Sequence, residues 1–349
     1  MTGTTTRGTS IPEVDVTALR DWFAANGVVI DDEFDSVRVG AGQSNLTYLL
    51  SDASGHRYVL RRPPVGHLLA SAHDVVREAK ILSALASTNV PVPQVFAVCT
   101  QESVAPVPLV IMEFVDAVTL DKEAAAHALP LPIRRAVGTS MMATLAQIHA
   151  VDLTATGLID LASHKPYAQR QLKRWSAQWE QSKTREIPAL DELTRALAAN
   201  IPEQHEMSLV HGDFHIRNVM VEQRTGQVRA VLDWELSTLG DPLADIGSTL
   251  AYWPEPGEEI AGRFTVETMP GFPTPAQVAA DYLEITGRDP QVLKYWHTLG
   301  LWKVAIIAQG VLRRVRDDPA NAAASGVPTD ADIDRFVAKA VVLAESAGL

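Results

Sequence analysis

The sequence predicts an α+β chain of two lobes: an antiparallel five-stranded sheet with one main helix in front, and a larger, mostly helical lobe behind. Three observations carry this reading. Short runs of β-branched and aromatic residues, punctuated by glycine and turn residues, crowd the stretch between residues 36 and 115. After Val115, apolar positions recur at helical spacing almost to the end. A length of 349 residues suits two units at about 100 to 200 residues each, and 46% apolar against 21% charged residues gives both a core to bury.

Residues 1–12 read as a flexible arm. Over 14–26, Val16, Leu19, Trp22 and Phe23 share a helical face, and Gly27 stops the helix. Strands are expected at 36–40, 46–51 and 57–61, the last two joined by a turn at 52–55. A helix over 72–86 places Val75, Ala79, Leu82 and Ala86 on one face. Pro91 and Pro93 separate it from strands at 94–98 and 109–114, which complete the sheet. The lobes therefore divide as 1–115 and 116–349. Behind the boundary come helices at 132–149, 167–183 and 190–200, strand-like pieces at 219–222 and 228–232, and further helices.

Charge and cysteine usage exclude several classes of function. Thirty Lys and Arg against 42 Asp and Glu leave −12, which excludes a general nucleic-acid binder. The single cysteine, Cys99, excludes a disulfide framework within the chain and any multi-cysteine metal site, and reads as a small buried residue. No stretch approaches the ~18 uncharged apolar residues of a membrane span, and the first ten residues lack an apolar signal segment. The expectation is a cytoplasmic protein with no membrane partner. Nothing in the sequence bears on oligomeric state.

Chemistry concentrates between residues 209 and 235. His211, Gly212 and Asp213 open a loop, Asn218 follows at the start of a short strand, and Asp233 ends the next strand. Carboxylate and amide oxygens suit Mg²⁺, a hard cation that shares its ligands with phosphates. Asn218 and Asp233 can hold such a metal while Asp213 stays free to accept a proton from an attacking hydroxyl.

With these residues the chain resembles the aminoglycoside phosphotransferase and choline kinase-like family, which shares the protein-kinase fold. The pattern follows the logic of the kinase catalytic loop and its downstream metal-binding Asp. The resemblance implies ATP or GTP as phosphate donor, Mg²⁺ as cofactor and a small-molecule hydroxyl as acceptor. Asp213 is then the base or orienting group, and His211 orders the loop. In the front lobe, Gly40, Gly42, Ser44 and Asn45 fall where the family places a phosphate-covering loop, with Asn45 in the position of a third glycine. Arg61 stands in the slot of the phosphate-pairing lysine, keeping the charge as a planar fork, and Glu78 is its expected partner. Glu113 and Val115 match the hinge whose backbone receives the nucleotide base. Asp241 and Asp245 read as caps and braces of the loop.

Arg61, Arg62, His67, His73, Arg77 and Glu78 further resemble the kinase-like domain fused to, or encoded beside, acyl-CoA dehydrogenases. That subgroup is associated with phosphorylating hydroxyacyl-CoA intermediates, which implies a functional link to such a dehydrogenase. The basic cluster of Arg57, Arg61, Arg62, His67, His73 and Arg77 binds nucleotide phosphates, binds acyl-CoA phosphates, or is a solvated face. Three readings of the chain stand: a phosphotransferase acting on a hydroxyacyl-CoA or hydroxy acid, an aminoglycoside or other antibiotic phosphotransferase, and a noncatalytic nucleotide-binding module of the same fold. The absent lysine and third glycine favour the module; retention of Asp213, Asn218 and Asp233 favours the enzymes.

Other motifs are weaker. His211 and His215 have the spacing of a zinc pair, but Gly212 argues against the helix such a pair requires. No phosphate-binding loop of the Gly-Lys-Ser/Thr type and no complete hydrolase elbow is present. His149 ends a helix, where an imidazole suits the dipole. Trp175, Trp179, Trp253, Trp296 and Trp302 belong mostly to the core, with one or two available to line an acceptor cleft. Arg313, Arg314 and Arg316 read as a solvated helix end.

Overall fold

The computed structural model describes residues 10–39, 45–65, 74–258, 265–319 and 326–349. The chain forms two compact units, one of Met1–Asp116 with Ala230–Glu235, the other of Ala117–Arg229 with Leu236–Leu349.

In the first unit, Asp15 caps α1 (Val16–Ala25) by accepting from the Ala18 N–H at 3.0 Å. Strands β1 (Phe34–Val39), β2 (Leu46–Asp52), β3 (Arg57–Arg62), β4 (Val95–Cys99) and β5 (Leu109–Glu113) form an antiparallel sheet ordered β1-β2-β3-β5-β4. Alternation assigns the faces. Leu50, Leu60, Leu109 and Ile111 meet Leu19, Trp22 and Phe23 of α1 in one core that also takes in Cys99. Each large side chain buried there contributes about 1.5–3 kcal/mol. α2 (Val75–Leu85), capped by Asp74, packs against β4 and β5.

The same period of two separates Arg61 from Arg62. Arg61 turns toward α2, whereas Arg62 turns into the α1 core, is 2% exposed and donates to the carbonyls of Pro12 and Pro63 at 3.0 and 3.1 Å. Arg62 therefore leaves the basic cluster and becomes a structural residue. Ile11 lies buried in that core, and the Ser36 hydroxyl donates to the Ser10 carbonyl. Residues 10–12 are thus anchored, contrary to a flexible arm over 1–12; residues 1–9 lie outside the described residues. The division into units departs from 115/116 at Ala230–Glu235, which joins the first unit because Val231 N–H donates to Pro91 O at 2.8 Å and Asp233 pairs with Arg61.

The second unit holds α3 (Glu123–His127), α4 (Leu131–His149), α5 (Tyr167–Ser182), α6 (Pro188–Ala199), α7 (Leu243–Ala251), α8 (Pro275–Thr286), α9 (Pro290–Asp317) and α10 (Asp330–Ala347). Strands β7 (Ser208–Val210) and β10 (Thr238–Gly240) pair antiparallel, and β6 (Val118–Thr119), β8 (Val219–Val221) and β9 (Val228–Val231), whose last two residues are counted with the first unit, form a small sheet. Strands of two or three residues are too short for alternation to reveal, which is why β6, β7 and β10 were not expected. α9, capped by Asp289 with Pro290 at its first position, packs on α5, α6, α7 and α10. Its crossing with α7 is backbone against backbone: a Cβ on Gly247 would lie 2.4 Å from Trp296 O. Trp179, Trp253, Trp296 and Trp302 are buried, and Trp175 is half-buried. Among the described residues, no helix is long and apolar enough to cross a membrane.

Candidate active site

β7 ends at Val210 and delivers the chain into a tight turn. Gly212 takes a φ of +84°, and a Cβ there would meet Leu236 O at 2.7 Å, so only glycine fits. The turn aims two backbone donors at α7. His211 N–H donates to Asp245 Oδ2 at 2.6 Å and Gly212 N–H to Oδ1 at 2.8 Å, with Asp245 only 1% exposed. His149 Nε2 lies 3.3 Å from the same carboxylate. An ionised carboxylate only accepts, so Nε2 carries the proton and Nδ1 accepts from the Tyr282 hydroxyl at 2.7 Å. Arg288 in turn donates to that hydroxyl oxygen at 3.1 Å.

Burial pushes the His149 imidazole below its ordinary range despite the pull of Asp245. Burial alone would raise the Asp245 carboxyl, but the hydrogen bonds from His149 and the Gly212 N–H hold it below the usual carboxylate range. His149 is therefore a buried partner of the brace, where the sequence had suggested a helix-dipole group. Asp241 accepts from Leu243 N–H at 2.9 Å at the start of α7.

Asp213 lies at the end of the turn. Its N–H donates to His211 Nδ1 at 3.3 Å. A 3₁₀ turn over Ile216–Asn218 folds the Asn218 amide back, so that Nδ2 donates to Asp213 O at 2.9 Å and to Asp213 Oδ2 at 3.0 Å. His215 Nε2 stands 3.3 Å from Oδ2. Burial would raise the Asp213 carboxyl, but the His215 hydrogen bond and the charges of His215, His211 and Lys303 hold it well below the usual range. With the Asn218 N–H groups turned to Asp213, no described group donates to Asn218 Oδ1, which is left as an oxygen of the kind Mg²⁺ takes.

Two residues here escaped the sequence reading. The spacing of His215 from His211 signals only a zinc pair. Lys303 of α9 reaches Gly212 O at 3.4 Å; burial lowers its pKa, opposed by Asp213 and Asp245. The one available signal was a lone lysine among Leu301, Trp302, Val304 and Ala305.

The first unit carries its own polar cluster. Arg61 Nε donates to Glu78 Oε2 at 2.8 Å and Nη2 to Asp233 Oδ1 at 3.0 Å. Glu78, 3% exposed, also accepts from Trp234 N–H at 3.3 Å. Burial raises the Glu78 carboxyl against the pull of Arg61. Burial lowers Arg61, and Glu78 and Asp233 more than offset it. Asp233 has a φ of +64°, a left-handed conformation that Asp tolerates better than most residues, and the surrounding bonds hold it there. Its Oδ2 has no described partner. Asn45 Nδ2 donates to Glu235 Oε2 at 3.4 Å.

Gly40, Gly42 and Ser44 lie outside the described residues, as do His67 and His73. At the hinge, Glu113 N–H is taken by Gln94 O at 2.8 Å, whereas no described group bonds the Val115 backbone. Arg57 stacks over Phe114 at 4.3 Å, and Arg77 donates to Glu235 O at 3.3 Å. The arginines of the basic cluster thus serve separate ends.

The sheet unit with its Arg–Glu pair and the helical unit with its braced Asp–Asn loop define a class, the small-molecule phosphotransferases of protein-kinase-like fold. The profile of the phosphotransferase enzyme family matches residues 35–294, and the chain belongs to that family. It is 38% identical over 277 residues to acyl-CoA dehydrogenase family member 10 of Mus musculus, covering 78% of this chain and 26% of that protein. It is 34% identical over 279 residues to acyl-CoA dehydrogenase family member 11 of Rattus norvegicus, covering 78% and 36%. The chain thus spans about a third or less of the length of these relatives. A solved protein of Ralstonia eutropha, provisionally described as an aminoglycoside phosphotransferase, is 30% identical with a TM-score of 0.76, over 96% of this chain and 97% of that one. A thermostable mutant of aminoglycoside phosphotransferase APH(4)-Ia, 18% identical with a TM-score of 0.58 over 94% and 98%, shares the fold.

Proposed function

We propose that the chain transfers the γ-phosphate of ATP or GTP to the hydroxyl of a small molecule in the presence of Mg²⁺. The observation that carries this reading is the Asn218 amide bound at once to the Asp213 backbone and carboxylate, which fixes the carboxylate's orientation. Asp213 orients the acceptor hydroxyl and takes its proton. Its depressed pKa makes it a weak base in the ground state, which suits a loose transition state in which the hydroxyl needs aiming more than early deprotonation. His211 and Asp245 hold the loop that presents it.

Asn218 Oδ1 and the Asp233 carboxylate are oxygen donors suited to Mg²⁺, which would neutralise charge on the phosphates when bound. Arg61, oriented by Glu78, pairs with the α and β phosphates. The loop of Gly40, Gly42, Ser44 and Asn45 covers them, and the backbone at Glu113 and Val115 receives the base. Val115 supports that role, since its backbone groups have no described partner; the Glu113 contribution is limited to its carbonyl side.

For the acceptor, a hydroxyacyl-CoA or hydroxy acid is favoured over an aminoglycoside. The relatives named for acyl-CoA dehydrogenases reach 38% identity, above the 30% of the Ralstonia eutropha protein, while APH(4)-Ia at 18% speaks for the fold alone. A functional link to an acyl-CoA dehydrogenase and a cytoplasmic location belong to the same reading. The test is acceptor-dependent release of ADP or GDP by the purified chain, with phosphorylated product identified by mass spectrometry and the reaction repeated after metal chelation. Metal-dependent transfer to a hydroxyl supports the reading. Metal-dependent nucleotide binding without turnover on any acceptor would favour the noncatalytic module.

A further inference from the structure

Two cations share one indole beside the catalytic loop. Lys303 Nζ lies 5.5 Å from the Trp175 ring centroid and Arg174 Cζ lies 5.4 Å from it. Gln171 accepts the Trp175 Nε1–H at 3.0 Å and fixes the ring. A narrow pocket opens here, lined by Tyr167, Gln171, Trp175, Trp302 and Lys303.

Among the described residues, neither cation has a carboxylate within ion-pair distance, although the chain as a whole carries −12. The Lys303 ammonium has three donors, and the one described acceptor it meets is Gly212 O at a long 3.4 Å. A half-buried ammonium so poorly partnered is costly unless something else supplies an acceptor. Gly212 immediately precedes Asp213, so the ammonium stands beside the turn that presents the orienting carboxylate.

We propose that Lys303, supported by Arg174 across Trp175, is a specificity-determining residue of the acceptor site and selects a hydroxyl compound that bears a negative charge near the reacting hydroxyl. The inference rests on the phosphotransfer reading of Asp213. In the transfer, the acceptor oxygen forms a bond to the γ-phosphorus while the bond from that phosphorus to the β,γ-bridging oxygen breaks. The hydroxyl proton passes to Asp213 and the nucleoside diphosphate leaves with the bonding pair. Lys303 keeps its proton throughout and holds the acceptor's anionic group. The same charge repels polycationic acceptors such as aminoglycosides.

The experiment compares the wild-type chain with Lys303→Met and Lys303→Arg on short- and medium-chain hydroxy acids, each paired with its neutral carboxamide, and on kanamycin. Thermal melting of each variant checks the fold, and calorimetric titration with the same compounds reads binding apart from turnover. The wild type should prefer acid over carboxamide by about 10- to 100-fold in kcat/KM, the scale of one charge-assisted hydrogen bond. Lys303→Met should erase that preference, chiefly through the KM for the acid, and Lys303→Arg should restore part of it.

Equal use of acid and carboxamide by the wild type, a preference that survives Lys303→Met, or kanamycin as the best acceptor overturns the proposal. So does a loss of kcat/KM of equal size on acid and carboxamide in a folded Lys303→Met, which would mark a merely structural lysine. If no compound is phosphorylated, the phosphotransfer reading is what fails, and calorimetry then decides: carboxylate binding lost in Lys303→Met upholds the selectivity, and no carboxylate binding to the wild type refutes it.

Discussion

Replacing Asp245 by Asn removes half of the brace beneath the proposed catalytic loop. The carboxylate accepts His211 N–H at 2.6 Å on one oxygen and Gly212 N–H at 2.8 Å on the other. An amide of the same shape keeps one acceptor and turns its NH₂ group against the remaining backbone donor. One charge-assisted bond of about 1.5–3 kcal/mol is lost, and a buried N–H is left unpaired at a cost of about 1–3 kcal/mol. Since the two contributions overlap, the expected destabilisation is about 3 kcal/mol. For a unit of roughly 230 residues with an unfolding entropy near 2.1 cal/mol/K per residue, that lowers Tm by about 6 °C.

A kinetic consequence follows, because the two bonds hold the residues immediately before Asp213. Displacement of a reacting group by about 1 Å costs ~10²-fold in rate, so phosphotransfer kcat should fall by that order while the nucleotide KM stays near wild type. Circular dichroism melting and a coupled assay for nucleoside diphosphate release measure the two effects. A Tm within about 1 °C of wild type together with an unchanged kcat would refute the role of Asp245.

Two further perturbations probe other parts of the molecule. Glu78→Ala leaves Arg61 without its nearest partner in a largely buried site, and should lower the unfolding free energy by roughly 3 kcal/mol or more in urea titration and raise the nucleotide KM; stability within about 1 kcal/mol of wild type would contradict this. Burial pushes the Asp241 carboxyl up to about 6. Because the folded state then holds the proton more tightly, the stability Asp241 contributes below about pH 4 is lost as the pH rises through about 6. Asp241→Asn keeps an oxygen for the Leu243 N–H and removes that loss, so the Tm of the variant relative to wild type should rise from pH 4 to pH 7; a difference independent of pH would count against the assignment.

The proposed catalytic loop was legible because its donor and acceptor residues are close in sequence. His211, Gly212, Asp213 and Asn218 lie within eight residues, and Asp213 and Asn218 bond to each other across only five of them. The sheet was legible for a similar reason, since turn residues and alternation mark its longer strands. What stayed hidden depends on distant pairings. His149 lies 96 residues from Asp245 and 133 from Tyr282, so its place in the brace emerges only when α4, α7 and α8 pack. Lys303 meets the loop only through the close crossing of α7 and α9 that Gly247 allows. Arg62 was grouped with Arg61 in one basic cluster, although a period of two puts them on opposite faces. Composition counts the charge of such a pair and is blind to where it points.

Asp213 carries the central chemistry of the proposed transfer, and single-turnover transfer by Asp213→Asn tests it most directly. The variant keeps the side-chain shape beside Asn218 and His215 while losing the charge that receives the hydroxyl proton. The expected result is a loss of ~10²-fold or more in the transfer step, with the nucleotide dissociation constant unchanged. Transfer at the wild-type rate would contradict the assignment of Asp213 as the orienting and proton-accepting group.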